Sequence, residues 1–405
     1  MMMKKRIVAG ALSALLTLSL CMGLGTTAFA DGRQLSDGGQ VSHGYAGKIT
    51  KKLNMDENVT IPDATFTFKV ERYSVDGSTE TEKLAEIPEI ANQTLTFSSE
   101  DESTTDPTTR VKTVTKETGS LLNGVTFPRV GVYVYKITEE ADTYEAKNGE
   151  IMTYMSDPCY MTVYVENGEL TPVIKTVDYR WVVPENQTKD DPTFDNNFTK
   201  IGSSDDPDPA DDPRHEAGAL EIAKTVTGAM GDKTKAFTFT LEITQLTAEM
   251  PLVQRVLTQI QSVDPEPRMT IERKYHGTIH RQGGTTEDIT IPGKVGAQCT
   301  FTLKDGEYVT FSDMPVGTKY TVTETEANQD SYTTTAASLV NGKTSDTTAN
   351  NLVGENANMV GYTNNKDASV PTGIIVNNLP FVMLILVSVC GFIGYIVFRR
   401  KRFYN

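Results

Sequence analysis

Two halves of this chain carry the same strand patterns in the same order, and this duplication restricts the fold more than any other feature of the sequence. Residues 47–51 precede the Phe-Thr-Phe motif at 66–68, and residues 220–224 precede the same motif at 237–239. Apolar and polar residues alternate in these segments, as they do in strands with one buried face. The economical explanation is a duplicated domain in which each copy is a β-sandwich.

The later parts of the two halves also correspond. A strand pattern that ends in Glu139 matches one that ends in Glu324, and each half closes with an aromatic residue two positions before an asparagine, at Asn196 and Asn364. The expected fold class is therefore all-β, with two tandem Ig-like β-sandwich domains and a C-terminal transmembrane helix in the precursor. Residues 247–262 are an exception, because their pattern indicates a helix within an insertion of the second domain.

An acidic, proline-rich stretch separates the halves. Proline and like charge favour an extended linker without a core of its own. The expected limits are: signal peptide 1–30, N-terminal extension 31–44, first sandwich 45–200, linker 201–215, second sandwich 216–367, sorting motif 369–373, membrane segment 374–398 and basic tail 399–405.

Both ends of the chain indicate export. The basic residues 4–6, the apolar stretch 7–24 and the small-residue site 28–30 form a secretory signal peptide. Near the other end, residues 381–398 are almost wholly apolar and long enough to be a membrane-spanning helix. The basic cluster 399–402 behind them should remain in the cytoplasm.

A short motif precedes that apolar segment: Val370, Pro371, Thr372 and Gly373. The motif, the single span and the basic stop together resemble a cell-wall sorting signal. On such a signal a sortase cysteine attacks the threonine carbonyl, here that of Thr372, and releases Gly373 and everything after it. The alternative interpretation is a plain C-terminal membrane anchor.

The chain between the two ends is strongly acidic. It carries 31 Lys and Arg against 53 Asp and Glu, a net charge of −22, which argues against nucleic acid as a partner. Of the four cysteines, one lies in the predicted signal peptide and one in the predicted membrane segment, which leaves Cys159 and Cys299, one in each half. A disulfide within either domain is therefore excluded, although an exported protein could keep one. No zinc spacing, phosphate loop or Ser/His/Asp set stands out, and we expect no metal, no cofactor and no enzyme that turns over.

Polar residues interrupt the apolar face of several strands. Alternate residues of a strand share one face, and this rule places one lysine, one glutamate and one asparagine of each half inside its core. In the first half these are Lys51, Glu139 and Asn196, and in the second they are Lys224, Glu324 and Asn364. Burial of charged groups should lower the pKa of each lysine and raise that of each glutamate.

A buried lysine, acid and asparagine can react with one another. A neutral amine is a nucleophile, and a protonated carboxyl group that donates a hydrogen bond to the amide oxygen makes the amide carbon electrophilic. Held together in a dry core, the lysine and asparagine could condense into an isopeptide bond with loss of ammonia. The alternative is a buried lysine–glutamate ion pair beside a hydrogen-bonded asparagine. The repetition of the triad in the same order favours the bond.

These motifs resemble those of the two-domain backbone pilin of Gram-positive, streptococcal-type pili, over nearly the whole mature region. The most specific shared pieces are residues 61–69, 131–133, 301–307 and 370–373. The resemblance implies one internal isopeptide bond per domain, Lys51–Asn196 with Glu139 as the catalytic acid and Lys224–Asn364 with Glu324.

The resemblance also implies a covalent cell-surface pilus. In such pili a sortase joins the threonine of one subunit to a lysine of the next, and Lys189, seven residues before Asn196, occupies that place here, with Lys175 and Lys200 as rivals. The implied partners are a pilin-specific sortase, other copies of the chain, tip and base pilins, peptidoglycan and host surface ligands. The alternative function is a monomeric wall-anchored adhesin with the same internal bonds.

Overall fold

The computed structural model describes residues 47–147, 149–181, 191–203, 218–251 and 273–368. This part of the chain contains twenty-one strands and one short helix. Its buried apolar side chains form two clusters, one centred on each half. The predicted all-β fold with two sandwiches is confirmed.

The first half forms two sheets packed face to face. Its elements are β1 Thr50–Asp56, β2 Ala64–Val75, α1 Thr81–Leu84, β3 Gln93–Phe97, β4 Thr104–Thr105, β5 Val111–Glu117, β6 Gly131–Glu139, β7 Glu150–Thr153, β8 Cys159–Asn167, β9 Pro172–Arg180 and β10 Thr193–Lys200. One sheet has the strand order β4-β5-β1-β10-β7, and the other has the order β3-β2-β6-β8-β9.

The second half repeats this arrangement with more strands. They are β11 Leu220–Thr227, β12 Phe237–Gln245, β13 Lys274–His280, β14 Thr286–Pro292, β15 Gln298–Leu303, β16 Tyr308–Phe311, β17 Lys319–Glu324, β18 Thr333–Val340, β19 Lys343–Ser345, β20 Asn351–Leu352 and β21 Met359–Asn365. The sheet orders are β14-β13-β16-β11-β21-β18-β19 and β15-β12-β17-β20.

In each sandwich the first and last strands are parallel neighbours. β1 pairs with β10 so that Lys51 lies opposite Phe194, and β11 pairs with β21 so that Lys224 lies opposite Tyr362. The inward faces follow the predicted alternation, because every second side chain along β2, β6, β8 and β12 is buried over most of each strand. The duplicated pairing brings the two ends of each domain together.

Several predicted segments fall outside the described residues. They include the signal peptide 1–30 and the membrane segment 374–398; no helix among the residues that are described is long and apolar enough to cross a membrane. The helix predicted for 247–262 is wrong at its start, since residues 247–251 are not helical. Backbone and side-chain groups of that start are instead used in contacts with the first half. The remainder, 252–262, is not described.

The chain passes from one sandwich to the other through residues that hydrogen-bond to both. The backbone N–H of Ile201 donates to the carbonyl of Gly149 at 2.8 Å, and that of Gly202 donates to the carbonyl of Met314 at 3.0 Å. These two residues begin the predicted linker, and the rest of that linker, from 204 onward, lies outside the described part. The crossing is therefore held to both sandwiches before the acidic stretch begins.

Asp56, at the end of β1, lies buried where the two halves meet. Its Oδ2 atom accepts a hydrogen bond of 2.7 Å from the backbone N–H of Ala248, and its Oδ1 atom accepts one of 2.9 Å from the N–H of Asn58. Gly317 approaches so closely that a Cβ atom added to it would lie 2.3 Å from the Asp56 carboxylate. Only glycine fits this position, and its φ of +95° would strain any other residue as well.

We expect Gly317→Ala to disturb the junction. The matched control is Gly306→Ala, because Gly306 also has a positive φ, of +72°, but an added Cβ would meet nothing within 4 Å. The clash with Asp56 should cost roughly 1–3 kcal/mol beyond the control. Thermal melts measure this difference, and small-angle X-ray scattering reports whether the halves separate. Equal melting temperatures and an unchanged scattering profile would contradict a close-packed junction.

Candidate functional site

The predicted triad of the first half comes together between its two sheets. Lys51 on β1 and Asn196 on β10 project from one sheet, and Glu139 projects from the last position of β6 in the facing sheet. The side chains of Lys51 and Glu139 are fully buried, as is Asn196. Three polar groups that the alternation rule assigned to the core are thus in one site.

The contacts of this site run through the Glu139 carboxylate. Lys51 Nζ donates to Oε2 at 2.9 Å, and Asn196 Nδ2 donates to Oε1 at 2.7 Å. The amide oxygen of Asn196 faces away from the glutamate and accepts a hydrogen bond of 3.0 Å from the backbone N–H of Met155. The chemistry predicted from the sequence places the acid against the amide oxygen, whereas in the structure Glu139 contacts the amide nitrogen.

The second half has the same site in the same register. Lys224 on β11 and Asn364 on β21 face Glu324 at the end of β17, and all three are buried. Lys224 Nζ donates to Glu324 Oε2 at 2.9 Å, and Asn364 Nδ2 donates to Oε1 at 2.5 Å. The amide oxygen of Asn364 differs from that of its counterpart, because it is buried without a hydrogen-bond partner in the described part of the chain.

Aromatic rings enclose both lysine amines. Nζ of Lys51 lies 4.8 Å from the ring centroid of Phe66, and Nζ of Lys224 lies 4.3 Å from that of Phe237. These rings belong to the Phe-Thr-Phe motifs by which the duplication was recognised. The sequence shows that the motifs repeat, but it does not show that their first ring contacts the lysine amine. The rings exclude water and place the charges in a low-dielectric core.

A pair of aromatic residues packs between the two sheets beside each site. Phe68 meets Phe194 edge to face at 5.1 Å, and Phe239 meets Tyr362 in the same way at 5.3 Å. Phe194 and Tyr362 are the residues two positions before the asparagines. This pair accounts for the aromatic residue that closes each half, and it fixes the last strand against the facing sheet.

Burial shifts the proton equilibria of these groups. In the first site burial lowers the pKa of Lys51 to about 8, although the neighbouring Glu139 acts in the opposite direction. Burial likewise raises the pKa of Glu139, against the effect of Lys51. In the second site burial lowers the pKa of Lys224. A lower lysine pKa and a higher glutamate pKa make it easier for the ammonium to give its proton to the carboxylate, which leaves a neutral amine and a neutral acid.

The geometry gives each glutamate contact with both nitrogen atoms that exchange protons in a condensation. In the second site one carboxylate oxygen faces the lysine amine and the other faces the amide nitrogen that would leave as ammonia. In the first site Lys51 Nζ lies 2.9 Å from both oxygens of Glu139, and Oε1 also accepts a hydrogen bond from the amide nitrogen. Such a carboxylate can carry a proton from the first nitrogen to the second. The same contacts describe a buried ion pair, which is the starting state in this chemistry and the final state in the alternative.

The structure describes only some of the residues predicted to join subunits. Lys189 and the motif 370–373 lie outside the described residues. Of the rivals, Lys175 is an exposed residue on β9 whose amine contacts Glu166 at 2.6 Å. Lys200, at the end of β10, is more enclosed and lies 3.7 Å from Glu355 of the second half.

The remaining candidate chemistry is limited. Cys159 is buried and Cys299 is partly exposed, and neither forms a disulfide within the described residues. Within the described ranges, no three His, Cys, Asp or Glu side chains are grouped so that they could hold a metal ion.

Comparison with family models gives a separate match for each half. Residues 47–199 match the Spy0128-like isopeptide containing domain, and residues 218–366 match a domain of unknown function (DUF7601). The first match covers all three residues of the first triad, and the second covers all three of the second triad. The two halves thus match different family models although their sites share one geometry.

Among known proteins, the chain is similar to a pilin of Streptococcus pyogenes serotype M1. The two are 26% identical over 395 residues, which cover 93% of this chain and 97% of that protein. The chain also aligns with a crystal structure of the major pilin from Streptococcus pyogenes. The alignment covers 80% of this chain and 99% of the pilin chain, at 22% identity and a TM-score of 0.34. A pilus-presented adhesin, Spy0125 (Cpa), aligns with 52% of this chain and 37% of its own, at 19% identity and a TM-score of 0.25.

Proposed function

We propose that the chain is a pilus subunit, because residues 47–199 match the Spy0128-like isopeptide containing domain and nearly the whole chain is similar to a streptococcal pilin. In the finer form of this proposal it is the structural shaft subunit of a covalent pilus on a Gram-positive cell wall. One observation carries the proposal: two sandwiches repeat a buried Lys–Glu–Asn site with the same strand register and with the glutamate bonded to both the lysine amine and the asparagine amide nitrogen.

Each site is proposed to make one internal crosslink in a single turnover. In the first site the Lys51 ammonium gives a proton to Glu139, and the neutral amine attacks the side-chain carbonyl carbon of Asn196. Glu139 then passes that proton to Nδ2, the C–Nδ2 bond breaks and ammonia leaves. The surplus proton on the new amide nitrogen returns to Glu139, which ends protonated. The second site follows the same sequence through Lys224, Glu324 and Asn364.

Subunits are proposed to join through Thr372 of one copy and Lys189 of the next. A sortase would hold Thr372 as a thioester after the release of Gly373, and the Lys189 amine would displace the enzyme. Two described residues on either side of Lys189 in the sequence contact each other, because Trp181 Nε1 donates a hydrogen bond of 3.0 Å to the carbonyl of Asp191. A head-to-tail contact of this kind does not close on itself and therefore makes a filament.

We expect Lys189→Ala to abolish the covalent ladder that pilus polymers give on denaturing gels. The full chain is expressed in a Gram-positive host with its sortase, and cell-wall extracts are boiled in detergent before electrophoresis. The variant should still reach the wall as a monomer and still carry both internal crosslinks, since Lys189 belongs to neither triad.

Lys175→Ala and Lys200→Ala are the matched controls and should leave the ladder intact. If a ladder persists in Lys189→Ala, peptide sequencing of its joints identifies the lysine that is used instead. A parent chain that is anchored to the wall but never forms a ladder would refute the shaft role. That result would favour the monomeric adhesin.

A further inference from the structure

The backbone N–H of Met155 is available because a strand ends early. β7 pairs with β10 from Lys200 back to Asn197, which lies opposite Thr153, and the pairing stops there. The chain beyond Thr153 leaves the ladder, and two residues later the N–H of Met155 points at Asn196 Oδ1. Met155 is buried, so this N–H has been withdrawn from water and committed to the amide oxygen.

The second sandwich lacks this feature for a structural reason. The strand beside β21 is β18, and its pairing continues past the asparagine, with Thr334 opposite Asn364 and Thr333 opposite Asn365. The backbone N–H of Thr334, the residue opposite Asn364, donates to the side-chain oxygen of Asn328 at 2.9 Å and is therefore not directed at the Asn364 amide. Accordingly Asn364 Oδ1, which is also buried, has no hydrogen-bond partner among the described residues.

The two amide oxygens are the atoms on which negative charge would develop. When the lysine amine adds to the side-chain carbonyl carbon, the C=O bond becomes a C–O⁻ bond until ammonia is expelled. A preorganised donor in a dry site stabilises that charge more than it stabilises the neutral amide, and so accelerates the addition. The backbone N–H of Met155 has the position such a donor requires.

We propose that the backbone N–H of Met155 is an oxyanion donor for the Lys51–Asn196 crosslink, and that the Lys224–Asn364 site works without an equivalent donor. This inference rests on the internal crosslinks of the proposed function. It adds that the two crosslinks form at different rates, the first faster than the second, although their triads match. Proton transfers and the loss of ammonia proceed as described above.

The test follows both crosslinks in one molecule. The full chain is synthesised in a cell-free extract with detergent micelles and quenched in denaturant at successive times. The crosslinked peptide from each site is then quantified by mass spectrometry. In one variant Met155 is replaced by its α-hydroxy acid analogue, which turns the N–H into an ester oxygen and keeps the side chain. In the control, Met155→Leu keeps the N–H and changes the side chain.

In the parent chain we expect the 51–196 crosslink to form before the 224–364 crosslink. The ester should slow the first crosslink by roughly 10²-fold, in line with the loss of one oxyanion donor, and leave the second unchanged. Met155→Leu should form both at the parental rates. The second crosslink is thus an internal standard within each sample.

Two results would overturn the proposal while leaving the crosslinks themselves established. One is an ester variant that forms the first crosslink at the parental rate. The other is a parent chain in which the first crosslink forms no faster than the second, a measurement that needs no variant to fold. A parent that forms neither crosslink is a different result, because it would refute the proposed chemistry as a whole.

Discussion

Replacing Glu139 by glutamine should leave the first crosslink unformed while the second still forms. The parent mature chain is expected to weigh less than its sequence by two ammonia molecules, and Glu139→Gln by only one. Glutamine keeps the size of the side chain but cannot accept the proton that the Lys51 ammonium must lose. The reciprocal variant Glu324→Gln should lose ammonia only from the first site.

Intact-protein mass spectrometry gives the result, and digestion identifies which crosslink is present. Glu140→Ala is the matched control, because this neighbouring carboxylate pairs with Lys69 outside the core and should leave both crosslinks in place. Glu139→Ala should agree with the glutamine variant in mass. A Glu139→Gln chain that still loses two ammonia molecules would show that the carboxylate is not needed. A parent of unshifted mass would leave the buried ion pair as the final state.

Asn196→Ala should lower the stability of the first sandwich more than any surface change. A crosslink between residues 51 and 196 closes a loop of well over a hundred residues and restricts the unfolded chain. By analogy with long-loop disulfides, its loss should cost on the order of 4–5 kcal/mol, or roughly 10–20 °C in melting temperature. Reducing agents should have no effect on the parent, since the bond is an amide.

Asn54→Ala is the control that removes a buried asparagine and its hydrogen bonds without removing the crosslink. Asn54 is also a buried asparagine in the same sheet, and it accepts a hydrogen bond of 2.8 Å from Thr113. Its loss should cost about 1–3 kcal/mol and leave the crosslink intact. Equal melting temperatures for Asn196→Ala and Asn54→Ala would contradict a stabilising role of the crosslink. Calorimetry of both variants beside the parent measures the difference.

The alternation of residues along strands was enough to predict the two triads. Lys51, Glu139 and Asn196 could be found because each is a polar residue in a position that the period of two assigns to the core. The arrangement is encoded locally in each strand, and the pairing of the first and last strands brings the three together. The sequence also predicted the direction of the lysine pKa shifts, since burial is the largest cause and outweighs the opposing effect of each glutamate.

Other parts of the site depend on information that residue types do not carry. The donor at Met155 is a backbone N–H, which every residue except proline has, so no side chain marks it. It becomes available only because β7 stops pairing opposite Asn197. The orientation of the Asn196 amide follows from that donor, and the expectation that its oxygen would face Glu139 was therefore wrong.

The junction could not be predicted because it depends on residues far apart in the sequence. Asp56 meets Ala248 only after both sandwiches have formed. The start of the failed helix prediction lies at this contact, where the N–H of Ala248 and the hydroxyl of Thr247 both donate to Asp56 Oδ2. The sequence alone does not show why residue 317 must be a glycine, because the reason is the Asp56 carboxylate that it faces.

The parallel pairing of β11 with β21 determines how tension would travel along the proposed filament. Force that enters a subunit at Lys189 and leaves at Thr372 runs along β10, through the crossing at 201–203, and into β11. At Lys224 the crosslink transfers the load directly to Asn364, eight residues before Thr372, so the strands between them carry none of it. The crosslink from Lys51 lies outside this path. Under load the Lys224–Asn364 bond would carry the tension, whereas the Lys51–Asn196 bond would stabilise its domain without carrying tension.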